Sequence, residues 1–219
     1  MKRIFTYLAA LSAIMLFSVS LWAQTQTEGE KLFRASSDYV FSARKLSIVI
    51  TNMDKKGNAY HNRGFFVALP DRGYMKLDGV SEFQYTPTLV SSFSEESNEY
   101  VIQARKSTST SISDNPFSIL SKGGKGIKVS DPAPGKVKDR DCIKFSVTPE
   151  GKAYYQRADI YVTGSGSSFK VLRITVALKK DQAFVVDITS AGEALPDKIS
   201  DYQIILSDHP GCQVVDLRD

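Results

Sequence analysis

The chain has 219 residues, with 28 Lys or Arg against 24 Asp or Glu and a net charge of +4. That length suits one large β-domain or two small ones, and so even a charge balance does not support a nucleic-acid partner. Two cysteines and two histidines, spread along the chain, are too few for a structural zinc site.

The first stretch reads as an export signal. Lys2 and Arg3 precede an uncharged, almost wholly apolar run from Phe5 to Trp22, and Ala23 stands where a signal peptidase would cut. An uncleaved anchor is the other reading, because the run is about long enough to span a bilayer. The polar residues Gln24-Thr25-Gln26-Thr27 favour cleavage. Residues 1–23 are therefore expected to be a signal peptide, and residues 24–219 a single exported domain. Removing Lys2 and Arg3 leaves 26 basic against 24 acidic side chains.

Thr27 to about Ser37 reads as a short helix, with Thr27 and Glu30 spaced as a capping box. From Phe41 the period changes to two. Leu46, Ile48 and Ile50 alternate with Ser47, Val49 and Thr51, the pattern of a strand with one strongly apolar face. After a turn at Asp54-Lys55-Lys56-Gly57-Asn58, strand sequence returns at Gly64-Phe65-Phe66-Val67-Ala68-Leu69. Shorter strands follow at Tyr74–Leu77 and Val80–Thr86, the latter with Phe83 and Tyr85 on one side. The next, Leu89–Ser94, places Leu89, Ser91 and Phe93 together, and Tyr100–Arg105 completes the set.

Asn115-Pro116-Phe117-Ser118-Ile119-Leu120 interrupts the strands. Asn suits an N-cap, Pro the first helical position and Gly123-Gly124 the end. A helix this short is unstable alone and must lie on an apolar surface. It is either a crossover helix plugging a β-core or a lid over a cavity. The stretch from Lys122 to Arg140, rich in Gly, Lys, Asp and Pro, holds one weak strand at Ile127–Ser130.

The second half repeats the β pattern. Strands are expected at Cys142–Thr148, Ala158–Thr163 (Ile160 and Val162 inward), Phe169–Leu178 (Leu172, Ile174, Val176 and Leu178 on one face), Ala183–Thr189 and Tyr202–Leu206. The sum is a mainly β, strongly curved antiparallel sheet or incomplete β-barrel of ten or eleven strands, closed by short helices.

Cys142 and Cys212 leave two readings open. Paired, they would close a loop of about 70 residues and contribute about 4 kcal/mol on the chain-entropy model; otherwise they are two free thiols. No catalytic constellation emerges. Gly164-Ser165-Gly166 is a hairpin turn rather than a nucleophile elbow, and Lys122-Gly123-Gly124-Lys125 lacks the spacing of a phosphate loop. A non-enzymatic protein without metal or cofactor is expected.

Several of these features, in order, resemble LolA-like carriers of outer-membrane lipoproteins. They are the signal, the N-terminal helix, Gly64 opening a strand, the Asn115–Leu120 helix and the strand Val171-Leu172-Arg173-Ile174-Thr175-Val176. The tail His209-Pro210-Gly211-Cys212-Gln213-Val214-Val215-Asp216-Leu217-Arg218 looks like that group's C-terminal signature. The resemblance implies an incomplete barrel with a helical lid and a cavity for the acyl chains of a lipoprotein or related lipid. It also implies a periplasmic, monomeric carrier. Such a carrier would receive cargo from an inner-membrane ABC transporter and pass it to an outer-membrane acceptor. The chain departs from the family at one place. Leu69-Pro70 stands where well-studied members carry an Arg before the Pro that helps latch the lid, and neither Arg63 nor Arg72 matches that position.

On this reading the cavity and lid are formed by Ile48, Ile50, Phe65, Val67, Leu69, Phe83, Phe93, Phe117, Ile119, Leu120, Ile160 and Ile174. Periodicity alone favours an ordinary packed core, and it is the resemblance, with the small number of helices, that points to a cavity; the alternative is a non-catalytic structural, adhesive or lipid-sensing β-module of the envelope.

Overall fold

The computed structural model describes residues 26–53, 58–105, 115–121, 126–179 and 182–218. The signal segment, the turn at 54–57, the Ser/Thr-rich stretch 106–114 and the glycine-rich 122–125 lie outside them.

Helix α1 (Glu28–Val40) starts as its capping box dictates: the Thr27 hydroxyl accepts from the Glu30 amide and the Glu30 carboxylate accepts from the Thr27 amide. It runs three residues past Ser37 because Val40 is wholly buried, as is Phe33 two turns earlier.

A first meander follows: β1 (Arg44–Met53), β2 (Ala59–Ala68), β3 (Gly73–Leu77), β4 (Ser81–Tyr85), β5 (Leu89–Ser94) and β6 (Glu99–Ala104). The chain then leaves the sheet and returns through a plug, residues 115–121, whose last turn is α2 (Ser118–Ser121). The remaining strands are β7 (Ile127–Val129), β8 (Ala133–Val137), β9 (Arg140–Pro149), β10 (Tyr155–Thr163), β11 (Lys170–Leu178), β12 (Ala183–Ala194) and β13 (Gln213–Leu217).

All thirteen strands belong to one sheet, ordered β13-β6-β5-β4-β3-β2-β1-β12-β11-β10-β9-β7, with β8 beside β9. Two meanders are thus joined side by side through the antiparallel pair of β1 and β12. Register shifts between Ser47 and Ile48 and between Tyr161 and Val162 bend these long strands. The ends, β13 and β7, do not pair with each other, so the barrel stays open.

The strand count exceeds expectation for physical reasons. Strand β8 carries Pro134 and Gly135, which edge strands tolerate and which mask a strand pattern. Strand β13 is short and pairs in parallel with β6, held at its start by the Gln213 amide donating to the Asn98 carbonyl. Conversely, Tyr202–Leu206 is not a strand. It is an irregular strap between two 3₁₀ turns, 196–201 and 206–208, laid across the outside of the sheet.

Two buried clusters separate the faces. The larger, inner cluster joins α1 and the plug to Leu46, Ile48, Ile50, Phe66, Phe83, Phe145, Ile160, Ile174 and their neighbours. The smaller, outer cluster holds Val67, Tyr74, Phe93, Tyr100 and Ile204, with Phe65, Tyr202 and Cys212 packed on it.

Gly64 is where β2 and β3 approach most tightly: a Cβ there would lie 1.8 Å from the Lys76 carbonyl oxygen. Because that oxygen belongs to backbone, no rotamer change relieves the clash. Gly64→Ala is expected to cost about 2 kcal/mol, a typical overpacking penalty, read as a lower denaturant midpoint.

Candidate functional site

The candidate site lies on the inner, concave face, where rows of side chains run across the first meander. One row is Phe66, Met75, Phe83, Ser92, Val101 and Val215, and the next is Gly64, Leu77, Ser81, Ser94 and Glu99. Over the Phe66 end of the first row sits the plug. The Phe117 ring stacks on Phe66 with centroids 4.4 Å apart. Its backbone is held by Asn115, whose side-chain oxygen accepts from the Phe117 amide at 3.0 Å. Phe117, Ile119 and Leu120 are at most 1% exposed.

Among the described residues, a pocket of about 180 Å³ opens beyond the plug, floored by Met75, Leu77, Phe83 and Val101, rimmed by Ser81, Ser92, Ser94, Ser97 and Glu99, and touched by Glu82 and Phe93 of the alternate register. Ligand pockets for drug-sized molecules run to roughly 300–1,000 Å³. At about 180 Å³ this pocket is smaller than such sites.

Ile48, Ile50, Phe83, Ile160, Ile174, Phe117, Ile119 and Leu120 meet in the inner cluster, as the periodicity suggests. Phe65, Val67 and Phe93 do not. They face outward, because β2 is buried on both faces and its unbroken apolar run fixes no register; the inner residues are Phe66 and Ala68. Strand β5 turns Val90, Ser92 and Ser94 inward, and Phe93 packs under the strap instead. Leu69 is half-buried at the rim, beyond the end of β2. Leu172 also misses the inner face, since the register shift in β10–β11 brings Val171 and Ile174 there. Cys142 and Cys212 are both free thiols. Cys142 lies on β9, near one end of the strand order, and Cys212 packs in the outer cluster beside β6, near the other.

The outer face holds a polar centre that sequence reasoning missed. The Glu82 carboxylate is 6% exposed; it accepts from the Tyr74 hydroxyl at 2.6 Å and from Lys76 Nζ at 2.7 Å. His209 of the strap lies flat on Phe93, ring centroids 3.7 Å apart, with Nε2 3.6 Å from Glu82 Oε1 and no hydrogen bond from that nitrogen. Burial first, and then the adjacent carboxylate, push the Tyr74 phenol far above its ordinary range. It stays a neutral donor at any physiological pH.

No protein-family model matches the sequence, and no curated protein does. Solved structures match the fold. An uncharacterised conserved protein from Thermus thermophilus superposes with a TM-score of 0.51 at 10% identity, over 85% of this chain and 98% of that one. A LolA superfamily protein from Nitrosomonas europaea superposes at 0.43 and 12% identity, over 82% of this chain and 99% of that one. The fold shared with the Thermus protein is the open, curved sheet described above. The MucA/MucB complex of Pseudomonas aeruginosa also matches, at 0.46 and 12% identity, over 86% of this chain and 64% of that one. At such identities the likeness concerns fold alone.

The rim near Leu69-Pro70 is tied by neither Arg63 nor Arg72 but by Arg105. Arg105, one residue past β6, donates to the Asp71 carbonyl at 2.7 Å and to the Thr86 carbonyl at 2.8 Å. Its guanidinium lies 4.8 Å from the centre of the Tyr85 ring, and the Tyr85 hydroxyl donates to the Leu69 carbonyl. Arg72 is engaged by its neighbour Asp71. Arg105 thus clasps two hairpin loops at the point where the chain departs toward the plug.

Proposed function

We propose that this protein is a periplasmic carrier that shields acyl chains of a lipoprotein, or of a related lipid, on its concave face. Residues 1–23 would be removed on export, leaving 24–219 as the lipid-binding domain. The cargo would come from an inner-membrane ABC transporter and go to an outer-membrane acceptor.

One observation carries the reading: a short separate segment, rather than the sheet itself, fills the concave face, and apolar floor continues beyond it into an open pocket. Burial of a lipid chain is worth ~0.8 kcal/mol per CH₂. An acylated protein therefore needs an apolar surface to cross water, and a carrier needs a way to refill that surface when empty. A plug anchored by three side chains meets both needs. The completeness of plug burial favours the second reading, a packed envelope β-module.

Native mass spectrometry separates them. The chain is expressed with its signal in a double-membrane bacterium and purified without detergent. A bound acylated mass is expected. An empty spectrum together with no uptake of a fluorescent fatty acid would overturn the carrier and leave the packed module.

A further inference from the structure

The open pocket is not uniformly apolar, and its polarity has a direction. Along the Phe83 row it presents Met75, Phe83 and Val101 with one hydroxyl, Ser92. One row further on, Leu77 is followed by Ser81, Ser94 and Glu99, and Ser97 adds another hydroxyl. Glu99 stands at this end on the inner face, half-buried, opposite Ser94.

The turns at the same end carry more acid. Asp78 lies in the β3–β4 turn, and Glu95 and Glu96 lie in the β5–β6 turn; the two turns adjoin, with the Glu95 amide donating to the Val80 carbonyl. Among the described residues, the cations nearest in the pairing register are turned away. Lys76 faces outward and is bound to Glu82, and Arg63 alternates with the inward Gly64. Arg72 and Arg105 lie at the far end of the strands, at the rim tied to Tyr85.

From this arrangement we infer that the pocket end at Glu99 is a headgroup site that selects amphiphiles with an ammonium head over those with an anionic head. The inference rests on the carrier reading and sharpens it. The hydrocarbon tail runs along Phe83 and Met75 toward the plug, while the ammonium meets the Glu99 carboxylate and donates to the serine hydroxyls. An anionic head would find a carboxylate in place of a cation and would leave that carboxylate partly desolvated and unpaired. The effect is electrostatic at a half-open site, so it weakens with salt.

The test uses the mature protein and three amphiphiles sharing one dodecyl chain: dodecylammonium, dodecyl maltoside and dodecanoate, each below its micelle threshold and followed by calorimetric titration. Dodecylammonium is expected to bind about tenfold more tightly than dodecanoate, a difference of about 1.4 kcal/mol, with the maltoside between them. Glu99→Gln should shrink that ratio to about threefold or less, with an unchanged urea midpoint reporting an intact fold. Glu99→Lys should invert the order. Equal affinities, or a ratio untouched by Glu99→Gln, would overturn the headgroup site and leave the carrier standing. Binding of none of the three would overturn both.

Discussion

Phe117→Ala should cost about 4 kcal/mol of stability and, in the same variant, make the concave face receptive to apolar probes. Deleting a buried phenyl from a core typically costs roughly 3–5 kcal/mol, and Phe117 is fully buried with its ring stacked on Phe66. What makes the position informative is where that energy resides. Helix α2 has four residues and no stability of its own. Docking of the plug therefore rests on Phe117, Ile119 and Leu120, steadied by the Asn115 side chain.

If all of the lost energy weakens docking, the undocked population rises about 700-fold. Apparent affinity for a ligand of the undocked state rises in proportion, until that state dominates. Urea unfolding and titration with a fluorescent fatty acid read the two consequences separately. Loss of stability with tighter probe binding identifies a displaceable lid. Loss of stability with unchanged binding identifies a plug that is merely part of the core, and the carrier reading would lose its central device.

How much of this could be read from residues alone varies along the chain, and the reason is burial. Where a strand has one wet face, alternation is unambiguous. Leu46, Ile48 and Ile50 in β1, and Ile160 and Val162 in β10, point inward as their pattern requires. Thr27 and Glu30 announce the start of α1 through side-chain chemistry that needs no tertiary context. Strand β2 has no wet face near its end, so Phe65-Phe66-Val67-Ala68 carries no phase information. Strand β5 misleads in a different way. Its bulkier residues, Leu89 and Phe93, face outward, and Ser92 and Ser94 line the pocket. Both errors share one cause: the strap from 196 to 212 gives the sheet a second apolar face, and nothing local in the strap says where it will lie. The headgroup end was illegible for a related reason, because Ser81, Ser94 and Glu99 come together only through register between three strands.

Glu82→Leu should detach that strap, at a cost of about 2 kcal/mol, on the scale of the one buried hydroxyl it would orphan. The carboxylate is the shared acceptor beneath it, bonded to Tyr74 and Lys76 and facing His209. Lys76 is 42% exposed and can turn to water when its partner is lost. Tyr74 cannot, and a buried polar group left unsatisfied costs roughly 1–3 kcal/mol, while His209, already without a hydrogen bond at Nε2, loses only the carboxylate it faces. Cys212 supplies the readout, because it packs half-buried on the outer cluster and becomes more accessible as the strap lifts. In a Cys142→Ser background, thiol labelling of Cys212 should accelerate at least about tenfold in Glu82→Leu. Glu82→Gln keeps an acceptor for Tyr74 and removes only the charge, so its acceleration should be several-fold smaller. Equal labelling rates in all three proteins would mean that the strap is held by its apolar contacts, Ile204 and Tyr202 among them, and that the buried carboxylate serves the sheet alone. Faster labelling in Glu82→Leu with unchanged binding of acyl probes would show, in addition, that the two faces of the sheet open independently.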